Sequence, residues 1–446
     1  DETAQSAHVG ITVESGPIFQ LTRFSIRPQV PNTAQPVLDM PLDLLGLALG
    51  QPARARDLLA AQDKLITTLA HRAYPLARIV DDAVTVDHAT GGMVVELVVV
   101  TGPKASFGPV TVKGLTSVAE GFVRNRLPWV EGEPFDLARL EQARERLLKA
   151  NLFSSIRLTP GDKLDPRGEL PIAVDLRERE HRTLGGALSW STDAGAGAEA
   201  YWEHRNLFSG GEKLRTRGYY NGLGYGLETS FRSPDLFGVD WDLISSATVT
   251  QKTTAAYDSS SALASIGADM QLTRHWKLTS SLALEYLRED ANSSIQHYTL
   301  ASLPNKLTYD SRDDRLDPAT GSLFSVRFEP NYDITGDAGP FLRFQVSDRV
   351  YYQVSQAPRI VLAGWADLGA IAGRDVLDLP AEKRLYAGGG GSVRGFGYQM
   401  AGPVDARYNP IGGRSLVAFG GEARIKITDT IGIAPFIEAG TVFSSM

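Results

Sequence analysis

Cysteine is missing from all 446 residues, so neither a disulfide framework nor a thiolate metal site can form. No stretch approaches the roughly 18 consecutive apolar residues that a transmembrane helix needs. A closed β-barrel stays open as a possibility, because paired strands satisfy every backbone group in lipid without an apolar run. A basic excess is absent too: 45 Lys and Arg face 52 Asp and Glu for a net charge of −7, which argues against a nucleic-acid partner. The seven histidines (His8, His71, His88, His181, His204, His275, His297) are scattered and carry no metal-ligand spacing. No cofactor fingerprint or paired acid and base stands out, so no metal, no cofactor and no catalysis are expected. The chain opens Asp1-Glu2-Thr3 without a charged and then apolar leader; if the protein is exported, its signal peptide has been removed or left out.

What is present divides near residues 179–184. Before that break helical and strand patterns mix, and an arrangement repeats. Val13-Glu14-Ser15-Gly16-Pro17 and Val100-Thr101-Gly102-Pro103 each end an apolar run and precede a strand, Phe19 to Arg27 or Phe107 to Lys113. Two helical patterns are expected next in each copy. Arg54 to Arg72 places Leu58, Leu59, Leu65, Ile66 and Leu69 on one stripe; Asp136 caps Leu137 to Ala150, with Leu140, Ala143, Leu147 and Leu148 aligned. Two strands close each copy: Leu76 to Asp87 with Met93 to Val100, and Ser155 to Thr159 with Leu170 to Glu178. A β-α-α-β-β order repeated about every 80 residues is an array of small modules. The lone strand Val9 to Val13 reads as the tail of a preceding one.

After the break the period becomes two. Phe324, Val326 and Phe328 oppose Ser325, Arg327 and Glu329; Leu278, Leu282, Leu284 and Tyr286 oppose Lys277, Thr279, Ser281 and Glu285. Val417, Phe419, Ala423, Ile425 and Ile427 oppose Glu422, Arg424 and Lys426, while Lys213, Arg215, Arg217 and Tyr219 oppose Leu214, Thr216, Gly218 and Tyr220. Charges on one face of strand after strand suit a polar lumen inside a lipid-facing band. A soluble sandwich would alternate as well, with the charges outside. Some thirteen segments, many of 9–12 residues, favour the membrane, where strands of this length span the bilayer.

One loop is dense in glycine: Arg384-Leu385-Tyr386-Ala387-Gly388-Gly389-Gly390-Gly391-Ser392-Val393-Arg394-Gly395-Phe396-Gly397-Tyr398-Gln399. It lacks the G-x-x-x-x-G-K-[ST] order of a phosphate loop, and Arg394 stands where a nucleophile elbow on Ser392 needs glycine. What remains is a loop that folds back and pins one buried guanidinium. Its Ser-Val-Arg-Gly-Phe order resembles the loop-six signature of outer-membrane assembly barrels, the superfamily of BamA, TamA and the two-partner secretion transporters. The string Asp310-Ser311-Arg312-Asp313-Asp314 followed by Pro318-Ala319-Thr320-Gly321 resembles that superfamily's turn between strands eight and nine; Arg312 stands at a ligand position and no Glu closes the loop, so it is not read as a calcium site. The repeated first-half modules resemble POTRA domains.

The resemblance implies α+β periplasmic POTRA modules followed by an antiparallel transmembrane β-barrel: residues 1–14 a tail strand, 15–101 and 102–180 two modules, and 181–446 the barrel with loop six at about 373–414. Counted from Leu184, the loop falls between an eleventh strand (Ile360 to Ile371) and a twelfth (Ser415 to Ile427); a thirteenth (Ile431 to Phe443) follows. Antiparallel strands close only in even number, so about three more are expected beyond this stretch to complete sixteen. Phe436-Ile437-Glu438 resembles the motif that receives the loop-six arginine. By that likeness the Val393-Arg394-Gly395-Phe396 lock pairs Arg394 with Glu438, stacks it on Phe436 and sets it near Glu422. Asp310, Arg312, Asp313 and Gly321 make the periplasmic turn, and Gly185, Gly186, Leu188 and Trp190 lie on the first strand of a lateral gate whose edge glycines weaken its packing. The TamA branch is most similar, through Arg384-Leu385-Tyr386-Ala387-Gly388-Gly389 and Gly402-Pro403 with Gly412-Gly413-Arg414-Ser415. It implies the outer-membrane bilayer, a TamB-like envelope-spanning partner and unfolded autotransporter or other outer-membrane clients as partners. A BamA-type general insertase, a two-partner secretion transporter of a single substrate and a passive porin-like channel are the other readings.

Overall fold

The computed structural model describes residues 17–29, 38–236, 238–291, 294–336 and 338–445. The expected tail strand Val9 to Val13 lies outside them. Residues up to Thr116 together with Val123–Arg179 form one compact unit, and Ser117–Phe122 with Glu180–Met446 a second.

The first unit holds two three-stranded sheets. One joins β1 (Gln20–Pro28), β3 (Gly92–Val100) and β2 (Arg78–Asp87) in that spatial order, with β1 parallel and β2 antiparallel to β3. The other repeats it with β4 (Ser106–Lys113), β6 (Glu169–Glu178) and β5 (Phe153–Pro160). Helix α1 (Ala55–His71) covers the first sheet with Ala61, Leu65, Leu69 and Ala70 buried, against Leu21, Val95, Leu97 and Val99. Leu59, placed on that stripe by spacing, is instead exposed, because the buried arc of α1 runs through Ala61 and Leu65. In the second module a short α2 (Glu120–Arg124) precedes α3 (Leu137–Lys149). Asp136 is extended and accepts the Ala138 N–H at 2.9 Å, a true N-cap. Leu140, Ala143 and Leu147 are buried, whereas Leu148 turns to solvent. The second module therefore carries both expected helices. In the first, α1 is the helix whose bounds are seen among the described residues.

The second unit is one antiparallel sheet of fifteen strands. In chain order these are β7 (Arg182–Ser191), β8 (Gly195–His204), β9 (Lys213–Asn221), β10 (Gly224–Ser233), β11 (Trp241–Thr253), β12 (Asp258–Gln271), β13 (Trp276–Ala291), β14 (Ser294–Ser302), β15 (Asn305–Asp310), β16 (Gly321–Asp333), β17 (Pro340–Gln356), β18 (Arg359–Ala372), β19 (Ser415–Lys426), β20 (Gly432–Ile433) and β21 (Phe436–Phe443). They fill thirteen positions, because β14 and β15 share one, between β13 and β16, and β20 and β21 share another, beside β19. The two splits fall at Pro304 and Pro435, where a strand expected to run through loses an N–H from its ladder. Among the described residues β7 pairs only with β8, and β20 and β21 only with β19.

The faces sort as the alternation requires. Leu188, Tyr220, Leu227, Val249, Ile266, Leu284, Tyr352 and Phe419 are exposed along the outer rows. The opposite face is ionic: Arg217 meets Glu228 at 2.9 Å, Arg232 bridges Asp242 and Asp269 at 2.6 Å each, and Arg349 meets Asp367 at 2.8 Å. Apolar outside and charged inside is the inverse of a soluble sandwich. The long β18–β19 connection lies on the charged face and touches the β7–β8 turn, β11, β13, β19 and β21. Gly390 meets Asp193 beside β7, and Arg394 meets Glu438 on β21. Four residues span at most about 14 Å, whereas thirteen strand positions laid flat would span about 58 Å, so the sheet curls around the loop.

Candidate functional site: a loop locked inside the barrel wall

The glycine-rich loop brings Arg394 to the inner face of β19 and β21. Its Nε and Nη2 donate to Glu438 Oε1 at 2.7 and 2.6 Å, and its backbone N–H donates to Glu438 Oε2 at 2.8 Å. Nη2 also reaches Glu422 Oε2 at 3.1 Å. The guanidinium carbon sits 3.6 Å from the centroid of the Phe436 ring, close enough for a cation–π contact. Glu422 is shared with Arg424, whose Nε donates to Oε1 at 2.7 Å. Arg394, Glu422, Phe436 and Glu438 thus converge as the sequence led us to expect. The guanidinium is not buried, however: its side chain is 36% exposed while that of Glu438 is 5% exposed. The carboxylate is embedded in the wall, and the arginine reaches it from an open lumen.

Val393 supplies the apolar half of the lock and is 2% exposed. It fits because Gly440 lacks a side chain; a Cβ there would lie 2.9 Å from Val393 Cγ2 and 2.6 Å from the Ala418 Cβ. Gly420 makes the same kind of room, since its Cβ would stand 2.5 Å from Trp365 Nε1 and 2.8 Å from Glu438 Cγ. Phe396 is half-exposed and contributes through its backbone, its carbonyl accepting the Gly389 N–H at 2.9 Å. Gly395 meets nothing within reach of a Cβ.

A second anchor, not foreseen from the sequence, holds the loop's first half. Glu289 on β13 accepts the N–H groups of Ala381 and Glu382 at 2.7 and 2.8 Å. Lys383 pairs with Glu285, also on β13, and Glu382 pairs with Lys252 on β11. Burial pushes the Glu382 carboxyl up, but the Lys252 ammonium more than reverses this and leaves it below the ordinary glutamate range. Arg384 donates to the carbonyls of Leu379 and Ile411, and the Tyr386 hydroxyl to that of Ala381. Burial raises the Tyr386 phenol, which stays protonated as that bond requires.

The Asp310–Gly321 turn is closed on itself. Arg312 grips Asp310 bidentately, both contacts at 2.9 Å. Asp313 accepts from Ala319 and Thr320 at 2.9 and 3.0 Å, and Asp314 from Leu316 and Asp317 at 2.7 and 3.1 Å. The Thr320 N–H, foremost, holds Asp313 below the usual carboxylate range. Gly321 has φ +95°, and a Cβ there would lie 2.3 Å from the Ser311 carbonyl. The carboxylates therefore act as turn acceptors.

On β7, Leu188 and Trp190 are exposed along the outer row. Gly185 does not loosen the edge as its composition suggested. A Cβ there would meet the Tyr201 ring at 2.5 Å, so the glycine admits that ring, and the Arg215 guanidinium lies 4.2 Å from its centroid. Gly186 has only the Glu199 carbonyl near its absent Cβ, at 3.0 Å.

An antiparallel wall of bilayer-length strands, curled around an arginine-locked internal loop and preceded in the chain by two small α+β modules, is a transmembrane β-barrel. The Omp85 superfamily domain matches residues 206–446, and the chain belongs to that superfamily. It is 24% identical over 460 residues to the outer membrane protein assembly factor BamA of Nitratidesulfovibrio vulgaris, covering 98% of this chain and 56% of that protein. It is 21% identical over 382 residues to BamA of Neisseria meningitidis serogroup B, covering 77% of this chain and 47% of the relative. The chain spans about half the length of these curated relatives. The crystal structure of BamA from Haemophilus ducreyi lacking POTRA domains 1–3 superposes with a TM-score of 0.78 at 16% identity, over 96% of this chain and 88% of that one. The protein is an outer-membrane β-barrel.

Proposed function

We propose that the protein folds and inserts β-barrel proteins into the outer membrane, with no catalytic chemistry of its own. The observation that carries this reading is the Arg394–Glu438 lock, which braces a loop inside a wall whose first strand, β7, carries a row of exposed apolar side chains. A passive pore has no use for a latched internal loop, whereas an insertase needs a wall that can be held and released. A client strand would add to the β7 edge by backbone pairing and pass into lipid beside Leu188 and Trp190.

The finer reading is a TamA-type factor, with autotransporters among its clients and a TamB-like envelope-spanning partner. In the first module β2 is an edge strand, and Val84 and Val86 are exposed on it, which suits docking of a client or that partner by strand addition. The test is reconstitution of the full chain in liposomes with an unfolded outer-membrane client and, separately, an autotransporter. Accelerated client folding, scored by protease protection, is expected. Steady conductance without client insertion would support a channel instead, and equal action on every client would favour a general insertase over the TamA type.

A further inference from the structure

We propose that Asp193, in the hairpin turn between β7 and β8, is a positioning residue that latches the first strand of the wall to the arginine-locked loop. Its Oδ2 accepts the backbone N–H of Gly390 at 2.8 Å, across 197 residues of sequence. The glycine run is shaped around this carboxylate. Gly389 adopts φ +90°, and a Cβ on it would lie 3.0 Å from Asp193 Oδ2; one on Gly390 would lie 3.4 Å from the same oxygen. One backbone N–H, that of Gly390, seats the carboxylate, since the Gly389 N–H is given to the Phe396 carbonyl.

The seat and the Arg394 lock belong to one compact turn. Gly388 N–H donates to Ser392 Oγ at 2.8 Å, Gly389 N–H to the Phe396 carbonyl at 2.9 Å, and Phe396 N–H to the Val393 carbonyl at 3.1 Å. The residue that holds Asp193 and the residue that holds Glu438 are four apart, and the Ser392 N–H bond to the Gly389 carbonyl at 3.2 Å ties the intervening chain back on itself. Releasing Arg394 from β19 and β21 therefore moves the seat of Asp193, and pulling the tip of β7 outward strains the arginine lock. The latch couples the two. Its consequence for insertion rests on the reading of β7 as the edge that receives clients.

The test uses the full chain in lipid nanodiscs, read by hydrogen exchange of Gly185–Ser191 and of residues 388–399. Asp193→Ala should raise exchange in both segments about ten-fold, equivalent to about 1.4 kcal/mol. Asp193→Asn keeps an oxygen acceptor and should stay near the parent, which a merely disruptive change would not. Unchanged exchange of Gly185–Ser191 in Asp193→Ala, with the barrel still folded by its melting behaviour, overturns the latch. Because the chain has no cysteine, Asp193→Cys with Gly390→Cys can be cross-linked cleanly. The oxidised pair should block client insertion and the reduced pair restore it. If the cross-link forms and insertion continues at the parent rate, the latch contact stands and the assignment of β7 as the insertion edge fails.

Discussion

Replacing Arg394 with alanine removes two hydrogen bonds to Glu438, one to Glu422 and the stack on Phe436, and leaves Glu438 with the backbone N–H of residue 394 and the Trp365 indole as donors. A hydrogen bond to a charged group contributes about 1.5–3 kcal/mol; the two Glu438 contacts share Oε1 and the guanidinium is partly exposed to the lumen, so together they count at the low end, about 1.5 kcal/mol. The Glu422 contact, screened by the same water, adds about 0.5 kcal/mol, and the ring contact a similar amount. Together these stabilise the docked loop by about 2.5 kcal/mol, so the mutation should raise its opening equilibrium roughly 70-fold. The barrel itself should remain folded, since Val393 and the Glu289 anchor are untouched. The assay is hydrogen exchange of residues 388–399 in nanodiscs together with client insertion, with Arg394→Lys as the comparison. Lysine keeps the charge but loses the planar fork and should recover only part of the protection. A change below about three-fold in Arg394→Ala would refute the reasoning, because it would mean the second anchor alone holds the loop.

Gly440→Val should expel Val393 from its place against Ala418 and loosen the loop by about 1–3 kcal/mol, read by the same exchange experiment. Gly321→Ala should lower the melting temperature by several degrees without touching the lock, because its φ of +95° and the Ser311 carbonyl resist any side chain. Asp136→Ala should cost the second module about 1 kcal/mol of stability in denaturant titration, through loss of the α3 cap. Glu382 has a folded-state pKa below its unfolded value of about 4.3, so its contribution is present above that pH and is lost as pH falls through the depressed value. Protease sensitivity of the loop near residue 382 should therefore rise only on acidification below about pH 4, and Lys252→Ala should move that onset toward higher pH.

Much of the barrel was legible because its signals are local. Alternation over Leu278 to Tyr286 needs only neighbouring residues, and both halves of the lock are pointed to by the resemblance of the loop motif and of Phe436-Ile437-Glu438 to those of assembly barrels. The Glu285–Lys383 and Lys252–Glu382 pairs were not legible, because their partners stand 98 and 130 residues apart and each looks like any lumen charge on its strand. The role of Gly420 and Gly440 as room for Glu438 and Val393 emerges only when β19, β21 and the loop are packed together. Asp193 gave no signal beyond a turn residue. Leu59 and Leu148 were misplaced for a related reason: each is consistent with a helical stripe, and the tertiary contacts choose a narrower arc.

The account depends on which face of this sheet meets lipid, and a cysteine scan of Leu282 to Tyr286 in the otherwise cysteine-free chain tests it most directly. Spin labels at 282, 284 and 286 in bilayers should be accessible to oxygen and shielded from a polar relaxant, and labels at 283 and 285 should not share that profile. Equal access of the polar reagent to 282, 284 and 286 would contradict it.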